Sequence, residues 1–234
     1  MGRALSKLGI LSRAKAMVAI RAGLVRVDGR QILDSSTPID IARARVTVDD
    51  QPHEKAEWRT VVFHKPRGVI TTSRDPEGRR TIYDALGEAG RGLIAVGRLD
   101  LATSGLLLLT TDTRLADWIT DPAHDVPRVY IVTARGRVSD EDVARLIAGV
   151  GAGRDRLQAH AVQLRKASGR ESHLTVELRE GKNREIRRLF TAIGHEVTHL
   201  KRVRFGTLEL GDLPPGEWRA LTRNDVRAAF PGAI

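Results

Sequence analysis

The chain has 234 residues, 41% hydrophobic and 29% charged, the balance of a globular protein rather than a disordered or fibrous one. It has no cysteine, which excludes a disulfide scaffold, a thiolate zinc site, an iron–sulfur cluster and a cysteine nucleophile. Lys and Arg number 39 against 29 acids, a net charge of +10, which favours a polyanionic partner, nucleic acid above others.

The length allows one large domain or a large and a small one. No apolar run approaches the ~20 residues of a membrane span, and no secretory apolar core is present, so the expectation is a cytoplasmic protein with no membrane partner. Residues 3–8 can form a short helix. Ser12 is a good N-cap, and residues 13–21 read as a second helix with Met17 and Ile20 three apart. Gly23 suits its end. Leu24-Val25-Arg26-Val27 alternates like a strand, and Asp28-Gly29 is a strong type I′ hairpin signal, with the return strand starting at Arg30. Residues 1–50 hold nine basic and five acidic side chains. The cluster at the amino end resembles a transit peptide, but the Gly23 to Gly29 punctuation argues for folded structure. Residues 49–59 are polar, contain Pro52, and read as a linker.

From Thr60 strands alternate with a few helices. Val61-Val62-Phe63 reads as a strand leading into a loop, His64-Lys65-Pro66-Arg67-Gly68. Asp75-Pro76-Glu77-Gly78 is a turn. Residues 81–86 form a short helix, 93–97 a strand edge, 105–110 a buried apolar strand and 129–134 another. Ser139 caps a helix over 140–148. Leu174, Val176 and Leu178 alternate on a strand, and Ile186, Leu189, Phe190 and Ile193 mark an amphipathic helix. Strands joined mostly by turns, with helices between, predict an α+β fold: a small helix–hairpin domain over 1–48, then a mixed, mostly antiparallel sheet with flanking helices over 60–234.

Two motifs are set aside. His195-Glu196-Val197-Thr198-His199 matches a zinc-protease signature, but Gly194 looks like a helix end and the segment after it like a strand, on which residues four apart lie too far apart to share a metal. Gly149, Gly151 and Gly153 follow a helix-like stretch, not a strand, and read as a loop rather than a dinucleotide site. Between two strands, Gly97-Arg98-Leu99-Asp100-Leu101-Ala102-Thr103-Ser104-Gly105 sets one carboxylate in a glycine-bounded loop beside a fully apolar strand. Such an acid is either strand-end punctuation or a working group.

Two resemblances bear on these segments. Ser12-Arg13 followed by Ile20-Arg21-Ala22-Gly23-Leu24-Val25-Arg26-Val27-Asp28-Gly29 resembles the ribosomal-protein-S4-type RNA-binding module. That implies an RNA-binding surface on the second helix and hairpin: Arg13, Lys15, Arg21, Arg26 and Arg30. The stretch from Gly97 to Leu107 resembles the signature loop of pseudouridine synthases, which isomerise a uridine in RNA to its C-glycoside. Lys65-Pro66-Arg67-Gly68, Arg128-Val129-Tyr130, residues 180–190 and Pro215-Gly216-Glu217-Trp218-Arg219 resemble the family's other motifs in the right order. With the amino-terminal module they point to the bacterial ribosomal-RNA branch, and residues 75–79 lean toward the group acting on the large subunit.

The resemblance implies a catalytic Asp100, an Arg187 whose charge supports it, and a Tyr130 that stacks on the flipped uracil. It adds Arg98, Thr103 and Ser104 as substrate contacts, and Lys182, Arg184 and Arg188 as phosphate contacts. The isomerisation needs one ionised carboxylate near C1′ of the ribose, acting as nucleophile or as base, and implies no metal or cofactor. A uridine within folded RNA must be flipped out to be reached. The implied partner is ribosomal RNA or a ribosomal subunit precursor, with the protein acting as a monomer. The rival reading is a non-catalytic RNA-binding or assembly protein with the same first module.

Overall fold

The structure is a computed structural model and describes residues 1–7, 10–11, 13–40, 44–52 and 57–233. The expected N-cap Ser12 lies outside the described residues, as does the side chain of Arg13. The chain forms two compact units, Met1–Arg59 with Thr111–Arg114, and Thr60–Thr110 with Leu115–Ile234.

The first unit opens with helices α1 (Gly2–Lys7) and α2 (Arg13–Arg21), then short strands β1 (Val25–Val27), β2 (Arg30–Gln31), β3 (Val46–Val48) and β4 (Gln51–Pro52). The sheet order is β2-β1-β3-β4. Asp28 and Gly29 both take positive φ, 50° and 82°, as a type I′ turn requires. Leu5, Ile20, Val25, Val46 and Val48 form a small core between helices and sheet. The expected linker begins later than residue 49: Asp49 and Asp50 make a second positive-φ turn, and Gln51 pairs back to Val48.

From Thr60 onward the chain adds β5 (Thr60–Lys65), α3 (Ile82–Leu86), β6 (Ile94–Val96), β7 (Ser104–Thr110), α4 (Thr113–Thr120), β8 (Arg128–Arg135), α5 (Asp140–Ala148), β9 (Val150–Ala152) and β10 (Asp155–Leu157). It continues with β11 (Ala161–Ala167), β12 (Glu171–Leu178), α6 (Glu185–Ala192), β13 (Val197–Phe205), β14 (Leu208–Glu209), β15 (Trp218–Ala220) and α7 (Arg223–Ala229). Nine of these strands form one sheet, in the order β11-β12-β8-β13-β7-β5-β15, with β14 on β13 and β6 on β7. The β13–β7 pair is parallel and the other pairs are antiparallel, as the α+β expectation has it.

The pattern of each strand explains its place. Leu106 through Leu109 are all fully buried, so β7 is covered on both faces and sits centrally. On β12, Ser172, Leu174, Val176 and Leu178 turn inward while their neighbours stay half-exposed, the period of a strand covered on one face. Capping boxes, Thr81 with Asp84, Ser139 with Asp142 and Thr222 with Asp225, start α3, α5 and α7.

Two expectations change. His64 and Lys65 are not in a loop but complete β5, both buried. The glycines at 149–153 belong to a hairpin of β9 and β10, because the segment after α5 packs against α6 instead of running free. The H-E-x-x-H segment leads into β13 rather than a helix. His195 Nδ1 lies 2.9 Å from the Arg135 carbonyl oxygen, and His199 Nδ1 lies 3.4 Å from Thr198 Oγ1. No helix among the described residues is long and apolar enough to cross a membrane.

Candidate active site

The loop that carries Asp100 joins β6 to β7, and its backbone is held at every side. Leu99 exchanges hydrogen bonds with the Thr71 side chain, its N–H donating at 3.2 Å and its carbonyl accepting at 2.8 Å. The Leu101 carbonyl accepts from the Gly68 N–H, and the Asp100 carbonyl from the Thr103 N–H. From the end of β5, Lys65 Nζ donates to the carbonyls of Pro66 (3.1 Å), Asp100 (3.1 Å) and Thr103 (2.8 Å). Burial pushes the Lys65 ammonium down to about 8, opposed by the nearby Asp100 charge. An ammonium with three donors and no acceptor meets three carbonyls, and the result is a rigid seat for Asp100.

Gly105 explains the next turn of the loop. It has φ +110°, and a Cβ there would overlap the Arg202 backbone. The parallel partner β13 approaches β7 at this point, Arg202 opposite Gly105, so only glycine admits the close approach.

The helix α6 supplies the cations facing the carboxylate. Its N-cap, Arg184, has a left-handed φ of 50°, and its Nη1 lies 3.7 Å from Asp100 Oδ2. Arg187 is differently engaged: it donates to the Val197 carbonyl at 2.8 Å and to the Ala102 carbonyl at 3.3 Å. Burial lowers its pKa, as does Arg184, while the Asp100 charge opposes them. The sequence expectation put Arg187 against Asp100 and Arg184 toward phosphates. In the structure the direct ion pair is Arg184's, and Arg187 secures the loop while adding positive potential.

The wall of the cleft comes from β8 and β13. Tyr130 on β8 is 9% exposed and stands in register with Arg202 on β13. Arg202 is buried, donates from Nε to the Leu106 carbonyl at 2.7 Å, and lies over the Phe205 ring at 4.6 Å. Burial depresses its pKa, and the Tyr130 phenol opposes that. Arg128, also buried, donates to the carbonyls of Val126 (2.8 Å), Arg179 (2.9 Å) and Ile119 (3.3 Å). It acts as a clamp on the backbone.

These groups enclose a cleft of about 250 Å³, lined by Arg98, Asp100, Thr103, Tyr130, Lys182, Arg184 and Arg187 of the expected residues. Ser104 is half-buried at the start of β7 and is not in the lining. Arg188 stands in a neighbouring groove, bound to Asp155 at 2.7 Å and to the Ala152 carbonyl at 2.6 Å. Its guanidinium is thus paired within the chain at a part-exposed position. Lys15, Arg21, Arg26 and Arg30 are exposed on the first unit. Four buried polar atoms in the cleft residues, Thr103 Oγ1, Glu185 Oε1, Arg187 Nε and Arg202 Nη2, have no hydrogen-bond partner. Buried polar atoms are ordinarily satisfied, so their concentration here marks a place built for polar company.

The cleft can therefore offer one exposed-edge carboxylate on a fixed loop, a guanidinium beside it and an aromatic wall. Comparison with known proteins agrees with that chemistry. The family described as RNA pseudouridylate synthase matches residues 59–192. The chain belongs to this family. It is 38% identical over 230 residues to the ribosomal large subunit pseudouridine synthase B of Vibrio cholerae, covering 96% of this chain and 72% of that protein. It is 30% identical to the protein of the same name from Bacillus subtilis, covering 96% and 93%. A solved structure described as a pseudouridylate synthase superposes with a TM-score of 0.67 at 26% identity, covering 97% of each chain. The chain is thus an isomerase acting on RNA.

Sequence reasoning missed two residues that line this synthase cleft and one that holds its loop. Lys65 ends an apolar strand, where a charged side chain needs a reason. Arg202 lies two residues after the buried Leu200 and so faces inward with it. Glu185, which opens α6, is 3% exposed. Its burial has no sequence signal, since an acid in a first helical turn ordinarily faces solvent.

Proposed function

We propose that the protein isomerises a uridine of large-subunit ribosomal RNA, with Asp100 as the reacting carboxylate. The observation that carries the reading is the seat of Asp100: Lys65 holds its loop through three carbonyls, and Arg184 stands 3.7 Å from its carboxylate. Attack on C1′ and removal of a sugar proton both need a carboxylate held in place. The N1–C1′ bond breaks, the base turns, and C5 joins C1′ with loss of the C5 hydrogen. Nothing in that balance calls for an oxidant or a metal.

The flipped uracil stacks on Tyr130, the aromatic of the cleft wall, as unstacked bases commonly do on protein aromatics. Arg98, exposed at the loop's entrance, and Lys182 and Arg184 meet flanking phosphates, which contribute affinity but little sequence information. The amino-terminal unit acts as an S4-type RNA-binding module through Arg13, Lys15, Arg21, Arg26 and Arg30. Support comes from its two helices and type I′ hairpin, from the exposure of Lys15, Arg21, Arg26 and Arg30, and from relatives named for the large subunit that align along 96% of this chain. The protein works in the cytoplasm as a monomer.

The test is to map pseudouridines by carbodiimide modification and primer extension on unmodified ribosomal RNA treated with the protein. A new stop in large-subunit RNA supports the reading. A stop in small-subunit RNA reassigns the substrate, and RNA binding without any stop favours a non-catalytic assembly protein.

A further inference from the structure

The hairpin of β9 and β10 supplies nothing to the chemistry above, yet it is fixed beside the cleft. Ala152 and Asp155 are its last paired residues, so Gly153 and Arg154 form a two-residue turn. Gly153 has φ +67°, as tight hairpin turns require of their first residue. Arg188 of α6 clips this closing pair. It donates to the Ala152 carbonyl at 2.6 Å and to Asp155 Oδ2 at 2.7 Å. A short turn bonded at both of its flanking residues has little freedom, so the side chain of Arg154 starts from a fixed place beside α6.

That place is a groove of about 460 Å³, lined by Gly151, Gly153 and Arg154 of the hairpin and by Arg184, Arg187 and Thr191 along α6. Arg184 and Arg187 also line the catalytic cleft, so groove and cleft meet along these two side chains. Gly151 and Gly153 face open space. With Arg188, four arginines and no acid line the groove, because Asp155 is taken up by Arg188. A second groove shares Arg184, Arg187 and Thr191 but includes Glu196. Arg154 is exposed and forms no hydrogen bond or ion pair among the described residues. Like charges gathered by a pinned turn repel one another, and an anion lying between them relieves the repulsion.

We propose that this groove holds a backbone phosphate of the RNA beside the reacting uridine, with Arg154 reaching it from the hairpin turn and Arg184 and Arg187 facing it from α6. A flipped nucleotide enters the cleft on a continuous chain, so its phosphodiester links must leave over the rim. The rim from Arg184 to Arg154 gives one of them a cationic path. A guanidinium suits a phosphate because its planar fork matches two of the phosphate oxygens. Such a contact sets the register of the RNA on the protein and reads no base. The inference rests on the reading of Asp100 as the group at the ribose.

The test compares full-chain variants that each lose one exposed cation. Arg170 is the control, exposed at the turn between β11 and β12, whereas the other end of β12, Leu178, lines the cleft. Filter binding to large-subunit ribosomal RNA is followed over a range of salt. Arg154→Ala should weaken binding about fivefold and lower the salt slope of log affinity by roughly one. Arg154→Lys should keep the slope, Arg170→Ala should change neither, and the unfolding midpoint should stay the same throughout. The chain has no cysteine, so Arg154→Cys accepts a single iron chelate whose hydroxyl radicals cut nearby RNA. The cuts should cluster on nucleotides next to the uridine that stops primer extension after carbodiimide treatment. Equal losses from Arg154→Ala and Arg170→Ala, or cuts away from that uridine, would overturn the proposal. The expected slopes with no uridine isomerised by wild type would instead fault the reading of Asp100 and leave the phosphate groove standing.

Discussion

The two units use the same residue types in opposite ways. In the first, Lys15, Arg21, Arg26 and Arg30 are exposed around a sheet of two- and three-residue strands, and Arg26 pairs with Asp50, itself mostly exposed, at 3.3 Å. In the second, Lys65, Arg128 and Arg202 are buried and spend their donors on backbone carbonyls. Both kinds count equally in a net charge of +10, yet the first kind faces solvent and the second builds the seat of Asp100. Charge totals therefore suggest a partner, while burial decides which cations can reach it.

The contrast can be broken most directly at its centre. Asp100→Asn removes the carboxylate proposed to react and is expected to lower the isomerisation rate by at least about a thousandfold, with RNA affinity unchanged, because a lost negative charge does not weaken contact with phosphate. Parallel rate and filter-binding measurements check it. Binding lost together with activity would make Asp100 a structural residue.

Next comes Lys65→Met, which removes the Lys65 donor from three carbonyls, of which that of Asp100 keeps the Thr103 N–H. Each unsatisfied buried acceptor costs roughly 1–3 kcal/mol, so denaturant unfolding should show the second unit clearly destabilised, and the isomerisation rate should fall about a hundredfold. A variant that keeps both would mean that the loop holds itself. By contrast, Arg26→Ala with Arg30→Ala should leave stability within about 0.5 kcal/mol. It should weaken binding to the large RNA and lower the salt slope of log affinity by roughly one per lost phosphate contact. Equal effects on stability from both kinds of cation would erase the distinction.

A smaller effect is the pH dependence of stability. Glu185 rises from 4.5 to about 8 on folding, so between those values the folded state binds more protons and stability falls as pH rises. Lys65 drops from 10.5 to about 8, so above about 8 the unfolded state binds more protons and stability rises again. Together they predict a shallow minimum near pH 8 in the unfolding midpoint of the second unit. Glu185→Gln should flatten its acid side, while Lys65→Met should flatten its alkaline side.

Much of the fold was legible because period and punctuation agree. The Asp28-Gly29 turn, the capped helix at 140–148 and the inward alternation of β12 all follow from local rules. The site was legible through the Gly97 to Gly105 loop and its family likeness, which brought Asp100, Thr103, Tyr130 and Arg187 to one cleft. Other features depend on contacts distant in sequence. The exchange of Arg184 for Arg187 at Asp100 turns on the left-handed conformation of one residue before α6. The commitment of Arg188 to Asp155 needs the β9–β10 hairpin, which a run of glycines disguised as a loop. Lys65 and Arg202 sit at positions whose hydrophobic surroundings come from strands far along the chain.

The central claim is that Asp100 in this cleft moves the glycosidic bond from N1 to C5 of a uridine. Forming the C5–C1′ bond expels the C5 hydrogen, so large-subunit RNA carrying tritium at C5 of uridine reports the step itself. Wild type should release tritium in an amount matching one site per RNA, and Asp100→Asn should release none while still binding. Tritium release by Asp100→Asn at the wild-type rate would contradict the account.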